Sequence, residues 1–200
     1  MTATMFHKQK ARWLMGIGIL LLAGVFLFPL WSITLEAPQF PGGLQLNIWI
    51  NRFSGSEGGG DIIKNINILN HYIGMQAIEP DAIPELRYFP LIIYAIMGFG
   101  GISILLNKSW TYAAWAVTLI ILGILGIYDF YLWMYDYGHN LDPSAPIKIE
   151  GMTYMPPLFG EKDLLNFYVT SYPGLGSLFL GLPIGMALLA FYNRTKSTKL

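Results

Sequence analysis

Four long stretches of this chain are nearly free of charge: about Trp13–Trp31, Tyr88–Leu106, Thr111–Met134 and Gly174–Tyr192. Only the third holds an ionisable residue that is charged at neutral pH, Asp129, near its end. The apolar core of a bilayer takes roughly 20 helical residues, so each stretch predicts one membrane span. The segments between them follow other periods. Leu44, Leu46, Ile48 and Ile50 alternate with Gln45, Asn47, Trp49 and Asn51, which predicts a half-buried strand. Ile62, Ile66, Leu69 and Ile73 recur at helical spacing, which predicts an amphipathic helix. Asp61 suits its N-cap, because a carboxylate accepts from the free amides of a first turn, and Gly74 suits its stop. Ile147/Ile149 and Met152/Tyr154 alternate on either side of Gly151, predicting a kinked strand over 146–155 that could pair with Leu44–Ile50. A short helix is expected over about Glu161–Val169.

The fold class that follows is an all-α integral membrane protein: four transmembrane helices with a small α+β extracytoplasmic cap built from two loops. The loops are 32–87 and 135–173, with a tail at 1–12, a turn at 107–110 and a second tail at 193–200. Composition agrees. Charged residues make up 12% of the chain, against about a quarter in a soluble domain. With no cysteine, disulfides, zinc–thiolate sites and thiol catalysis are excluded.

Charge placement sets an orientation. Lys8, Lys10, Arg12, Lys108, Arg194, Lys196 and Lys199 fall on the side shared by both tails and the short turn, which holds no acidic residue. All 12 acidic residues fall on the other side or at its membrane edge. The excess of Lys and Arg in cytoplasmic segments then places both termini in the cytoplasm of a multi-pass inner-membrane protein, with the two long loops periplasmic. Basic residues before the first span resemble a signal peptide, but its apolar core is too long and no small-x-small cleavage site follows, so an uncleaved anchor is expected.

Chemistry-bearing residues concentrate on the acidic side. On the face of the amphipathic helix away from its apolar stripe, Asn67, His71 and Met75 line up at i, i+4 and i+8. An imidazole one turn from a thioether could hold a soft ion such as Cu(I). His139, Met152 and Met155 are further candidate donors on the same side. Each has an ordinary alternative: a surface histidine, or a methionine packed in a core. Asp129, Asp136 and His139 would share a face if the third span continued past the surface, with Asp136 able to orient the His139 ring. No span contains a histidine for a haem, no phosphate-binding glycine motif follows a strand, no nucleophile elbow is present, and nothing supports nucleic-acid binding.

The run Asn65-Ile-Asn-Ile-Leu-Asn-His-Tyr-Ile-Gly-Met75 resembles a segment of uncharacterised multi-span membrane proteins from bacterial gene clusters for nitrous-oxide-reductase maturation. Pro157-Leu-Phe-Gly-Glu-Lys-Asp-Leu-Leu-Asn166 resembles them more loosely. The resemblance implies a part in copper delivery or copper-enzyme assembly outside the cytoplasmic membrane. Two functions are therefore expected. One is a non-enzymatic anchored accessory protein that binds or relays copper through His71 and Met75, helped by His139, Met152 or Met155, with copper-enzyme assembly factors as partners. The other is a structural accessory subunit of a larger membrane complex, without metal.

Overall fold

The computed structural model describes residues 3–38, 40–55, 62–147, 149, 151–164 and 166–198. The first helix, α1 (Ala3–Leu22), tightens into one 3₁₀ turn over Ala23–Phe26. Pro29 follows, and a proline drives the residue before it out of helical geometry. Trp31 is therefore not the end of a helix. It opens strand β1 (Trp31–Ala37), and its indole Nε1 donates to Ser171 Oγ at 2.8 Å.

The other long helices are α3 (Glu85–Leu106), α4 (Ser109–His139) and α5 (Leu175–Lys196). They close a ring: α1 packs on α3 and α5, and α4 packs on the same two. Met15, Leu22, Tyr112, Trp115, Ala187 and Ala190 are completely buried at its centre. The Trp115 indole donates to the Ile96 carbonyl at 2.8 Å, so the largest core side chain leaves no polar atom unpaired. The outside of the ring is also apolar, with Leu20 75% and Leu105 79% exposed. All four helices are long and apolar enough to cross a membrane.

A five-stranded antiparallel sheet stands at one end of the bundle, in the order β3-β2-β1-β5-β4. Its strands are β1, β2 (Phe40–Ile48), β3 (Phe53–Gly55), β4 (Gly160–Leu164) and β5 (Phe167–Pro173). In register, Ile33 faces Leu46 and Ser171, and Leu35 faces Leu44 and Val169. These side chains share one face, while Ser32, Thr34 and Glu36 share the other, as the two-residue period of a strand requires. The apolar face covers the last turns of α4 and the amphipathic α2 (Ile62–Ile73), with Met134 and Val169 in one buried cluster and Leu46 and Ile66 in the next. Burying a side chain such as Met134 or Val169 contributes about 1.5–3 kcal/mol. At 31 residues, α4 is about 46 Å long at 1.5 Å per residue, which exceeds a hydrocarbon core of about 30 Å. Its surplus turns are the post on which the sheet and α2 are built.

Three expectations need correction. The 44–50 strand is real but pairs with β1 and β3, not with 146–155. No described residue of 146–155 is in a strand; the Ile147 amide donates to the Tyr72 carbonyl of α2 at 2.9 Å, and the Tyr154 amide donates to the Gly138 carbonyl of α4 at 3.0 Å. Gly138 makes that approach feasible, since a Cβ there would overlap the Met155 backbone. Finally, the helix expected over Glu161–Val169 is the β4–β5 hairpin. The aromatic and β-branched run Phe167-Tyr-Val-Thr170 favours a strand. Helix α2 lies where its period predicts; Asp61 lies outside the described residues.

Candidate functional site

The predicted ligand face of α2 depends on the helix continuing through residue 75, and it does not. The helix ends at Ile73, and Gly74 takes a left-handed conformation with φ +79° that strongly favours glycine. The Met75 amide then donates back to the Asn70 carbonyl at 2.9 Å. This turn carries Met75 inward, where it lines a cavity beneath the sheet. His71 stays on the last helical turn, exposed, with its ring edge-on to Tyr72 at 6.0 Å between centroids. It borders a shallow outer groove with Lys64 and Ile68. Asn67, the third residue of that row, is a clamp: its amide Nδ2 donates to the Ile78 carbonyl at 3.0 Å, and its Oδ1 accepts from the Ile78 amide at 2.7 Å.

The other candidate donors also lie in separate surroundings. His139 is exposed on the last turn of α4, where its Nδ1 is 2.9 Å from the Tyr135 carbonyl and its ring stacks on Tyr135 at 3.9 Å. Asp136 does not orient it; that carboxylate faces Gln76 Nε2 at 3.5 Å. Met155 packs with Met134 and Val169, and Met152 is half-buried in the returning loop. Asp129 is half-buried on α4 with Glu85 as its charged neighbour. Among the described residues, no group of three or more His, Asp or Glu side chains is placed to hold a metal ion.

Two features emerge that the sequence does not single out. The first is the cavity, about 70 Å³, walled by Ile66, Leu69, Met75, Trp133, Met134 and Val169, with Tyr154 also on its lining. These residues come from α2, α4, the sheet and the returning loop, so no local pattern connects them. The second is on the polar face of the sheet. The Tyr168 and Tyr172 hydroxyls both donate to Glu161, the latter at 3.1 Å. Donating to a carboxylate favours the neutral phenol, which raises the pKa of Tyr172 and pushes that of Tyr168 up to about 12. The alternation of β5 would have placed both tyrosines on one face, had the segment been read as a strand.

The fold is a ring of four helices of membrane-crossing length carrying an antiparallel sheet and one amphipathic helix at a single end. Compared with known proteins, the chain matches no family model and no curated protein.

Proposed function

We propose that this protein is a multi-pass accessory subunit of a larger membrane complex, acting through its helix faces and its cap without a metal. The observation that carries this reading is a set of open glycines. At Gly98 and Gly101 on α3, Gly123 and Gly126 on α4, and Gly181 and Gly185 on α5, an added Cβ would meet no atom within 4 Å. Other bundle glycines are in use: a Cβ on Gly18 would meet Met186 at 3.3 Å, and one on Gly100 would meet Ile19 at 2.7 Å. Each glycine inside a helix costs about 1 kcal/mol relative to alanine. In a bilayer, small residues let a neighbouring helix approach closely, and packing against such a neighbour offsets that cost. Six outward glycines on three helices gain nothing inside this chain, which supports partner helices outside it.

The charge asymmetry supports the rest of the proposal: both termini cytoplasmic, and the sheet with α2 on the opposite side of the inner membrane. Divergence of His71 and Met75 onto an outer groove and an inner cavity favours this reading over copper relay.

The test is to replace Gly181 and Gly185 together by leucine and compare native-gel migration and cross-linking in the membranes of the source cell. The wild-type chain is expected in an assembly larger than itself, and the double variant is expected to leave it with an unchanged unfolding temperature. A wild-type chain that migrates alone, or a variant that keeps the same assembly, would overturn the proposal.

A further inference from the structure

The end of the bundle opposite the sheet carries Lys8, Lys10 and Arg12 on α1, Lys108 in the turn before α4, and Arg194 and Lys196 on the last turn of α5. No carboxylate occurs in 3–31, 86–128 or 164–198, the segments that meet there. Three of these cations gather around Asn107. Arg194 Nε donates to the Asn107 carbonyl at 2.6 Å, and Lys108 is the next residue. The buried Tyr112 hydroxyl donates to Asn107 Oδ1 at 2.9 Å, and the charges of Arg12 and Arg194 both act on that hydroxyl. Arg12 and Lys108 are exposed and Arg194 is half-buried.

A guanidinium has about five N–H donors. The contacts of Arg194 occupy only Nε, on Asn107, and one N–H of Nη1, on Ser197 Oγ at 3.5 Å. A planar fork tethered on one side keeps its remaining donors in a fixed direction, which suits the paired oxygens of a phosphate. The surroundings favour lipid as the source of that phosphate. Trp13, directly after Arg12, is 66% exposed, and Trp110, just beyond Lys108, is 61% exposed. Exposed indoles at the end of an apolar span mark headgroup depth, so the adjoining cations lie at the level of lipid phosphates.

We propose that Arg12, Lys108 and Arg194 form a binding site for the headgroup of an anionic phospholipid in the leaflet at this end of the bundle. Arg194 holds the phosphate oxygens, and Arg12 and Lys108 supply the charge preference. A cluster of like charges repels itself, and a net-negative headgroup relieves that repulsion. A zwitterionic lipid offers the same phosphate, but its own cationic group is repelled by the two flanking cations, so the site selects net negative charge. The proposal requires only that the four helices span a bilayer, and it is independent of any partner subunit.

The test is native mass spectrometry of the full chain in detergent, titrated with phosphatidylglycerol and with phosphatidylcholine of matched acyl chains. Wild type is expected to retain a single phosphatidylglycerol in preference to phosphatidylcholine. Arg12→Gln with Lys108→Gln removes two exposed charges, so the unfolding temperature without lipid should hold. Affinity of that variant for phosphatidylglycerol should fall roughly 25-fold, about fivefold per cation. The swap Arg12→Lys with Lys108→Arg keeps the charge and should keep the preference. Arg52→Gln with Arg87→Gln, an equal loss of exposed charge at the sheet end, should also keep it. Equal retention of the two lipids by wild type, an unchanged preference in Arg12→Gln with Lys108→Gln, its loss in the swap or the sheet-end variant, or displacement of the lipid by inorganic phosphate would each overturn the proposal.

Discussion

Arg194 Nε donates to the Asn107 carbonyl at 2.6 Å, joining the end of α5 to the turn between α3 and α4 across 87 positions of sequence. Asn107 holds a left-handed backbone, φ 47°, and its side-chain oxygen accepts from the buried Tyr112 hydroxyl at 2.9 Å. One turn residue thus ties three helices at the end opposite the sheet. Replacing Arg194 by alanine should lower stability by about 1.5–3 kcal/mol, the range for hydrogen bonds to a charged group. Lysine should restore only part of this, because it lacks the planar guanidinium. Denaturant unfolding in detergent measures both, and an unchanged midpoint for Arg194→Ala would show that the contact contributes nothing.

Gly138 and Gly126 lie on the same helix and should respond oppositely to alanine. A Cβ at Gly138 would strike the Met155 backbone, which has no flexible end to yield, so a loss of about 1–3 kcal/mol is expected from overpacking. At Gly126 the space is open and alanine is the better helix former, so the melting temperature of the isolated chain should hold or rise. Equal effects at the two sites would contradict this packing.

The pair Tyr168 and Glu161 predicts an alkaline effect with a definite sign. The folded protein retains the Tyr168 proton up to about 12, above its ordinary value of 10.0, because the hydroxyl donates to the carboxylate. Stability from this contact is complete below the ordinary value and fades as pH rises through the folded one. Absorbance titration of tyrosinate should show late ionisation of Tyr168, and that of Tyr168 and Tyr172 should both move toward the ordinary range in Glu161→Gln. A titration indifferent to that substitution would remove the assignment.

Anaerobic Cu(I) titration of purified protein separates the two functional readings. Wild type, His71→Ala and Met75→Leu should bind weakly and alike, because the two side chains occupy separate surroundings. A tight stoichiometric site lost in either variant would restore copper relay as the function.

Orientation can be read with single cysteines, since the chain has none of its own. Ser54→Cys in β3 should react with an impermeant maleimide added outside intact spheroplasts, and Thr198→Cys only after permeabilisation. The reverse pattern would invert the proposed topology.

Much of this architecture was legible in the amino-acid order alone. Four apolar runs and the spacing of Ile62, Ile66, Leu69 and Ile73 are local properties, and a helix satisfies its backbone within its own segment. Sheet formation was only partly legible. β1 pairs with β5 through Trp31 and Pro173, far apart in the chain, so neither segment reveals its partner. The aromatic run of β5 was the available signal, and the adjacent leucines at 164 and 165 concealed it.

The candidate site divides along the same line. Residue types and their order placed His71 and Met75 four apart, but whether they meet depends on the one glycine between helix end and loop. Gly74 at φ +79° turns the chain, so that Met75 lines the inner cavity while the exposed His71 borders the outer groove. Likewise, no spacing could mark Arg12, Lys108 and Arg194 as neighbours around Asn107, because they come from three separate stretches of chain. Local pattern determines which segments are helical and apolar; only folding decides which side chains share a space, because that depends on contacts between residues distant in sequence.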